Sequence, residues 1–257
     1  MERRISTSCS TSGPASCQNT TVETDLCCFE GTPGPQFWDT DPVTGPTDSW
    51  TIHGLWPNYC DGSYPEDCGP ESRDYSDITQ LLQDQGASDT LSYMQTVGLA
   101  TASDRSHVDV QHEWYTHGTC YTTLQTSCLP SDSPTGADAV AFFQTVVGLF
   151  QDMTTYDWLE QAGITPSYDT TYELSELQDA LLSAYGYTAS FDCDDDELYQ
   201  IEYWFNIQGS LLNGDFVPLD AYEAGSCRSS GIKYLPKSDD NSDASKKRSR
   251  LAKRKAL

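Results

Sequence analysis

Two histidines and a glutamate stand close together in the segment HEWYTHGTC, which covers residues 112–120. The whole chain has only four histidines in 257 residues, so half of them fall within this one segment. On an α-helix, residues four apart share a face, which would place Glu113 beside His117 and His112 beside Thr116. A carboxylate next to an imidazole can move a proton during a reaction. A polar helix turn without chemistry is the alternative that this segment alone leaves open.

The same segment does not have the spacing of a zinc peptidase. The H-E-x-x-H motif of those enzymes puts two histidines four residues apart, on one face of a helix. His112 and His117 are five residues apart, and on an α-helix of about 100° per residue they would diverge by about 140°. We therefore predict that the chain has no metal site and needs no cofactor.

A third histidine, His53, lies in SWTIHGLWPNYC, where alternating apolar residues predict a strand. Trp50 and Ile52 would face one side of that strand and His53 the other. Aromatic residues follow, including Trp56 and Tyr64, and nucleic-acid bases stack on such side chains. Two histidines with ordinary pKa values of about 6.5 can act as acid and base at mildly acidic pH. RNA would supply its own nucleophile, the 2′-hydroxyl; a histidine merely packed at a strand end is the alternative.

Periodicity predicts the elements that position these residues. Three helices are predicted in SDITQLLQ, SDTLSYMQTV and GADAVAFFQTVVGLFQDM, the first two opened by a Ser/Asp cap. A fourth is predicted in LSELQDALLSAYG, with Ser175 as its cap and Gly186 as its stop. A strand is predicted from about Leu198 to Ile207, and residues 1–50 are expected to be loop-rich. Helices and antiparallel strands without a regular βαβ rhythm indicate an α+β fold.

Ten cysteines are spread along the chain, an even number with no C-x-x-C pair. This pattern indicates disulfides formed in an oxidising compartment rather than a zinc ribbon. We predict a secreted protein whose leader peptide is not present in this chain. The sequon at Asn19 predicts glycosylation.

The net charge of −25 is unevenly distributed. Eight of the 14 basic residues lie in residues 237–257, whereas 36 of the 39 acidic residues lie in residues 1–236. A body this acidic repels a polyanion at neutral pH, so composition alone does not suggest a nucleic-acid enzyme. We predict one catalytic domain over residues 1–236 and a disordered basic tail over residues 237–257. No apolar run approaches the ~20 residues of a membrane helix, so we expect no membrane partner.

Taken together, WTIHGLWP and HEWYTHGTC resemble the two active-site segments of the ribonuclease T2 family of secreted acid ribonucleases, in its fungal branch. The resemblance continues through SRDYSDIT, LSYM, GITPS, YEL and GIKY and covers roughly residues 9–236. It implies an α+β fold in which helices pack on an antiparallel sheet. It also implies a monomeric endoribonuclease, with single-stranded RNA as substrate, that forms 2′,3′-cyclic phosphate ends without a metal.

The resemblance further implies a role for each matching residue. His53 matches the general acid, and His117 matches the general base that takes the 2′-hydroxyl proton. Glu113 matches a carboxyl group that assists at the phosphate. The implied substrate-binding positions are His112 at the phosphate, Trp56, Asn58 and Tyr64 around the base, and Thr116. The implied disulfides are Cys9–Cys28, Cys17–Cys60, Cys27–Cys128, Cys68–Cys120 and Cys193–Cys227.

Three departures from the family pattern bear on activity. Thr116 stands where the family carries a lysine, and a hydrogen bond to a charged group contributes about 1.5–3 kcal/mol, so we expect cleavage to be about 10- to 150-fold slower. Asn58 stands where fungal members usually have an aspartate that favours adenine. The segment ASDRSHVDVQ lacks the usual aromatic pair of a second base site, and we expect its His107 to be a surface residue. A weakly active or inactive ribonuclease-like effector or toxin that binds RNA is therefore the alternative function.

Overall fold

A computed structural model describes residues 13–18, 26–28, 34–39, 45–97 and 110–237, with the backbone alone for residues 34–39. Within these ranges, helices pack on an antiparallel sheet, which confirms the predicted α+β fold. The strands are β1 Gly34–Asp39, β2 Thr51–Leu55, β3 Ser190–Asp194, β4 Glu197–Gln208 and β5 Asp215–Leu219. The α-helices are α1 Ile78–Asp84, α2 Ser88–Thr96, α3 Ala137–Asp152, α4 Thr155–Gln161 and α5 Leu174–Tyr185.

The long strand β4 is the centre of the sheet. The strand order is β2-β1-β4-β3, with β5 also paired to β4, and every pairing is antiparallel. Ile201, Tyr203 and Phe205 lie on one face of β4 and are buried. Trp204 and Asn206 on the opposite face are buried as well, so both faces of this part of the strand are covered. The strand predicted from about Leu198 to Ile207 is confirmed, one residue longer at each end.

The expectation that residues 1–50 are only loop-rich is wrong for β1. This strand contains Gly34 and Pro35, which disfavour strands, but it lies between β2 and β4 and pairs with both. Neighbouring strands on both sides outweigh the weak local preference. Through β1, the strand that carries His53 is joined to the centre of the sheet.

The predicted helices are present, but two predicted caps are wrong. Asp77 caps α1, its carboxylate accepting from the Gln80 backbone N–H at 2.9 Å. The residue before α2 is Ala87, which makes no side-chain cap, so the Ser/Asp cap predicted there is absent. The predicted cap Ser175 of α5 lies inside the helix; the N-cap is Glu173, which forms a capping box with Glu176. Gly186 ends α5 in the left-handed region at φ 90°, as predicted.

Helix α3 supplies the centre of the hydrophobic core. It packs against β2, α1 and α2, and its Phe142 and Phe143 are almost fully buried. The ring of Phe142 contacts Trp114 with centroids 5.7 Å apart. This contact places α3 directly beneath the segment that contains the predicted catalytic residues.

Four predicted disulfides are confirmed: Cys17–Cys60, Cys27–Cys128, Cys68–Cys120 and Cys193–Cys227. Cys28 is also disulfide-bonded, and its predicted partner Cys9 lies outside the described residues. Asn19, His107 and residues 238–257 lie outside them as well. Lys237, the first residue of the predicted tail, donates a hydrogen bond to the Ser49 carbonyl. Among the helices described, none has the length and apolar character needed to cross a membrane.

Candidate active site

Strand β2 brings His53 to the predicted active site. Trp50 and Ile52 are buried, whereas the side chain of His53 is 30% exposed, so the predicted opposition of faces is confirmed. His53 Nε2 lies 3.6 Å from Oε1 of the buried Glu113. The next residue, Gly54, packs so closely that a Cβ there would overlap the Glu113 carboxylate. Glycine is therefore required for the strand to approach Glu113 at this distance.

The segment Glu113–His117 is a π-helix rather than the expected α-helix. The backbone N–H of Gly118 reaches the carbonyl of Glu113, five residues back. The wider turn of a π-helix brings residues five apart closer in angle than an α-helix does, so the expectation that His112 and His117 diverge is wrong. Their rings meet edge to face with centroids 5.5 Å apart. The π-helix therefore gathers side chains that a regular α-helix would have separated.

Trp56 lies at the centre of the candidate site. Its indole N–H donates a 2.8 Å hydrogen bond to Glu113 Oε2. Its ring stacks on His117 at a centroid distance of 4.3 Å and meets His53 edge to face at 5.0 Å. One aromatic side chain thus contacts all three residues predicted to be catalytic.

His117 is the most deeply buried histidine of the group, with 4% of its surface exposed. Burial lowers its pKa to about 3, and the nearby charges of His112 and His53 lower it further in the same direction. The imidazole is therefore neutral at mildly acidic pH. A neutral imidazole can accept a proton, which is the property that a general base requires.

Thr116 lies between His112 and an aspartate that sequence reasoning missed. The Thr116 hydroxyl is 3.0 Å from Asp67 Oδ1 and 3.2 Å from His112 Nδ1. The predicted placement of Thr116 on the His112 side of the segment is confirmed. The sequence does carry a signal for Asp67, since it precedes Cys68, whose implied disulfide partner Cys120 lies four residues after Thr116.

The Cys68–Cys120 disulfide joins the stretch of chain around Asp67 to the stretch around Thr116. Beside it, the Asp67 N–H donates to the Thr116 carbonyl at 3.0 Å. The buried Arg73 is also held in place, because its guanidinium donates to Asp138 Oδ2 at 2.8 Å. The carbonyl of Arg73 accepts the indole N–H of Trp114 at 2.8 Å, within the π-helix itself. The π-helix is thus held by covalent, ionic and hydrogen bonds.

The residues predicted to bind the base lie around the loop that follows β2. Asn58 is buried and Tyr64 is 65% exposed. Trp56 differs from the expected open stacking surface, because one of its ring faces is covered by His117. The roles of these three side chains in base binding stay predictions.

Among the described residues, His112, Glu113 and His117 each present one potential metal-ligand atom, and these atoms lie within 4.8 Å of one another. This proximity is another consequence of the π-helix, so the spacing argument against a metal does not hold. Metal independence stays a prediction, and its test is the response of the activity to a chelator.

Comparisons with known proteins show which proteins this chain is similar to. The sequence profile of the Ribonuclease T2 family matches residues 11–215. Ribonuclease Le2 of Lentinula edodes is 52% identical over 241 residues, which cover 92% of this chain and 100% of that protein. Ribonuclease T2 of Aspergillus oryzae is 43% identical, with 93% of this chain and 87% of that protein covered.

A solved structure shows the same fold. The crystal structure of Actibind, described as a T2 ribonuclease, superposes with a TM-score of 0.81 at 43% identity, covering 89% of this chain and 98% of that one. The human RNase T2 structure, at 21% identity and a TM-score of 0.56, shares the fold. From the family match and these relatives, the chain belongs to the ribonuclease T2 family.

Proposed function

We propose that this chain is a secreted, metal-independent endoribonuclease that cleaves single-stranded RNA by transphosphorylation. The 2′-oxygen attacks the adjacent phosphorus, the bond to the 5′-oxygen breaks, and the products are a 2′,3′-cyclic phosphate end and a free 5′-hydroxyl. The observation that carries the proposal is the arrangement of His53 and His117 around Trp56, with Glu113 in contact with both Trp56 and His53.

In this mechanism, His117 removes the proton from the 2′-hydroxyl. The lowered pKa of His117, about 3 because of burial, keeps this imidazole neutral where most histidines would be protonated. The base is therefore competent under acidic conditions, in which the charge of the acidic body is also reduced. Acidity favours the approach of RNA without disabling the base.

His53 supplies the second proton, which goes to the departing 5′-oxygen. When His53 is protonated, Glu113 Oε1 at 3.6 Å lies within ion-pair distance. The buried Glu113 is fixed by the indole of Trp56, so its position does not depend on substrate. A fixed carboxyl group beside the general acid can respond to the charge that develops on the phosphoryl oxygens. His112, which is exposed, is the candidate ligand for the phosphate before and during attack.

Secretion is supported by the cysteine chemistry. The confirmed disulfides include Cys27–Cys128, which closes a loop of about 100 residues, and Cys68–Cys120 beside the site. Such bonds persist in oxidising compartments and are rare in reducing ones.

Thr116 favours a second candidate, a ribonuclease-like RNA-binding effector with weak activity. It occupies the position of the lysine that the family pattern carries, and its hydroxyl is held by Asp67 and His112. A hydroxyl stabilises anionic charge less than an ammonium group does. This candidate predicts RNA binding with little cleavage.

The decisive experiment incubates the pure protein with single-stranded RNA at pH 4–6, with and without EDTA, and identifies the ends formed. We expect cyclic phosphate ends in both conditions, and loss of activity after reduction of the disulfides. His53→Phe and His117→Phe should each remove almost all cleavage, whereas the matched control His107→Ala should change the rate little. RNA binding without cleavage would favour the effector, and activity lost in EDTA but restored by zinc would establish a metal mechanism.

A further inference from the structure

A chain of three hydrogen-bonding groups runs beside the proposed catalytic residues. The Thr116 hydroxyl is within hydrogen-bond distance of Asp67 Oδ1, at 3.0 Å, and of His112 Nδ1, at 3.2 Å. Thr116 is buried, Asp67 is exposed on its loop, and His112 is exposed at the mouth of the site. The three groups therefore link an exposed carboxylate, a buried hydroxyl and an exposed imidazole.

The chemistry of the three groups fixes the direction of the hydrogen bonds. An ionised carboxylate only accepts, so the single hydroxyl proton of Thr116 must be donated to Asp67. The Thr116 oxygen then has only lone pairs left for His112, so His112 Nδ1 must carry a proton and donate it. In the neutral ring this leaves Nε2 unprotonated, and in the imidazolium form Nε2–H becomes a donor.

We propose that Asp67 is a positioning residue that acts through Thr116 to fix the tautomer and orientation of His112, so that the protonated ring presents its Nε2–H to the scissile phosphate. The relay occupies the place of the missing lysine: it supplies no positive charge beside the phosphate but orients the imidazole that binds there. This proposal rests on the proposed function for its kinetic consequence, although the tautomer itself can be measured without RNA.

The backbone around Asp67 is built for this contact. Asp67 has φ 53°, in the left-handed region that aspartate tolerates better than most residues. Its backbone N–H also donates to the Thr116 carbonyl at 3.0 Å, so Asp67 contacts Thr116 through both main chain and side chain. The adjacent Cys68 is covalently bound to Cys120, one helical turn beyond Thr116. These bonds hold Asp67 and Thr116, which are far apart in sequence, within hydrogen-bond distance of each other.

The first test is nitrogen NMR of the protein with ¹⁵N-labelled histidine at about pH 8, where ordinary imidazoles are neutral. We expect His112 to be the Nδ1–H tautomer, which is the minor form of an unconstrained histidine side chain. Thr116→Val removes the hydroxyl and should release His112 to the Nε2–H form, whereas Thr116→Ser should keep the Nδ1–H form. A parent protein with the Nε2–H form, or a tautomer unchanged by Thr116→Val, would overturn the relay.

The second test separates KM from kcat on a fluorogenic single-stranded oligoribonucleotide. Loss of one orienting hydrogen bond is worth about 1–1.8 kcal/mol, so Thr116→Val should raise KM about 5- to 20-fold and change kcat less than 3-fold. Asp67→Gly keeps the positive φ but removes the carboxylate, and it should have the same effect. Because both variants break the same series of hydrogen bonds, the double variant should raise KM no more than either single variant does.

Thr79→Val is the matched control, since the Thr79 hydroxyl donates to the Asp77 carboxylate at 2.7 Å, away from the site at the start of α1. It should change neither KM nor the His112 tautomer. Additive effects of Asp67→Gly and Thr116→Val, or a raised KM with an unchanged tautomer, would reduce Asp67 to a purely structural role.

Binding of inorganic phosphate, followed through the His112 ring signals, keeps the relay testable if the parent cleaves no RNA. Thr116→Val should then weaken phosphate binding by a similar 5- to 20-fold factor. An inactive parent with an intact relay would contradict only the proposed catalysis. An active parent, silenced by His53→Phe but with equal phosphate binding in Thr116→Val, would contradict only the relay.

Discussion

The indole N–H of Trp56 donates a 2.8 Å hydrogen bond to Oε2 of Glu113, a carboxylate with only 4% of its surface exposed. Buried carboxylates require such donors, because an unsatisfied charged group is costly. The same Trp56 ring is stacked on His117. The relative positions of a proposed acid–base pair and its assisting carboxylate therefore depend on one aromatic side chain.

Trp56→Phe should preserve most of the stacking and remove the hydrogen bond. A hydrogen bond to a charged group contributes about 1.5–3 kcal/mol, so we expect kcat to fall about 10- to 150-fold. KM should change less, since Asn58 and Tyr64 remain at the predicted base site and an aromatic ring still occupies position 56. Steady-state kinetics on an oligoribonucleotide measure both quantities. If KM alone rises, Trp56 serves the base pocket rather than Glu113.

Gly54→Ala should lower kcat at least 10-fold, because the added methyl group would overlap the Glu113 carboxylate and displace it. The matched control is Gly148→Ala on the exposed side of α3, where an added Cβ meets nothing within 4 Å. That control should leave activity unchanged and stabilise the helix by about 0.5–1 kcal/mol. Kinetics and urea unfolding of both variants check the pair. Full activity of Gly54→Ala would show that Glu113 can move without consequence.

The pH dependence of kcat/KM should be bell-shaped with its maximum on the acid side. Burial lowers the pKa of His117 to about 3, so the base loses function only when the pH falls towards that value. The rate should fall again as the pH rises and the general acid His53 loses its proton. Initial rates at constant ionic strength between pH 3 and 9 measure the profile. An optimum above about pH 8 would contradict the assignment of acid and base.

Glu202→Gln should make stability less dependent on pH. Burial, then the neighbouring carboxylates of Asp192 and Glu223, raise the pKa of Glu202 to about 8, while Gln200 donates to it and opposes the shift. The native state keeps the Glu202 proton, whereas the unfolded chain loses it above the ordinary pKa of about 4.5. The contribution of Glu202 to the free energy of unfolding is therefore fully present below pH 4.5 and is lost as the pH rises towards 8.

Glutamine imitates the protonated acid, so at pH 8 the variant should be more stable than the parent by about 2 kcal/mol, less than the full shift implies because the side chain is partly solvated. At pH 4 the two proteins should be nearly equal in urea unfolding. Glu160→Gln, on the exposed side of α4, is the control and should not alter the pH dependence. Equal stability of parent and Glu202→Gln at pH 8 would contradict the raised pKa.

Thr116→Lys should raise kcat, because an ammonium group beside the phosphate stabilises the charge that builds up in the transition state. The carboxylate of Asp67 lies 3.0 Å from the Thr116 hydroxyl and should pair with the new lysine, so we expect a gain smaller than about 10-fold. Combining the lysine with Asp67→Gly should free the ammonium and increase the gain further. A lysine variant with the parent's kcat in both backgrounds would show that chemistry is not rate-limiting.

The strongly periodic elements could be predicted from the sequence, but the backbone of the catalytic segment could not. The apolar spacing of α3 and the alternation of β4 depend on burial alone, and both predictions were confirmed. The choice between α- and π-helical hydrogen bonds at Glu113 depends on distant contacts, including Trp114 with Arg73 and Phe142. The pairing of His112 with His117 was therefore missed. Asp67 was missed because its partner Thr116 lies 49 residues away.

Formation of the Cys68–Cys120 disulfide during oxidative folding should determine when the protein becomes active. Its two cysteines adjoin the loop of Asp67 and the segment of Thr116, so the bond raises the effective concentration of one relay partner around the other. A nascent chain with both thiols reduced lacks this tether, and His112, the proposed phosphate ligand, has no fixed partner. Catalytic competence should then appear with oxidation rather than with synthesis. The ribosomes that make the chain would be protected from it by the redox state in which they work.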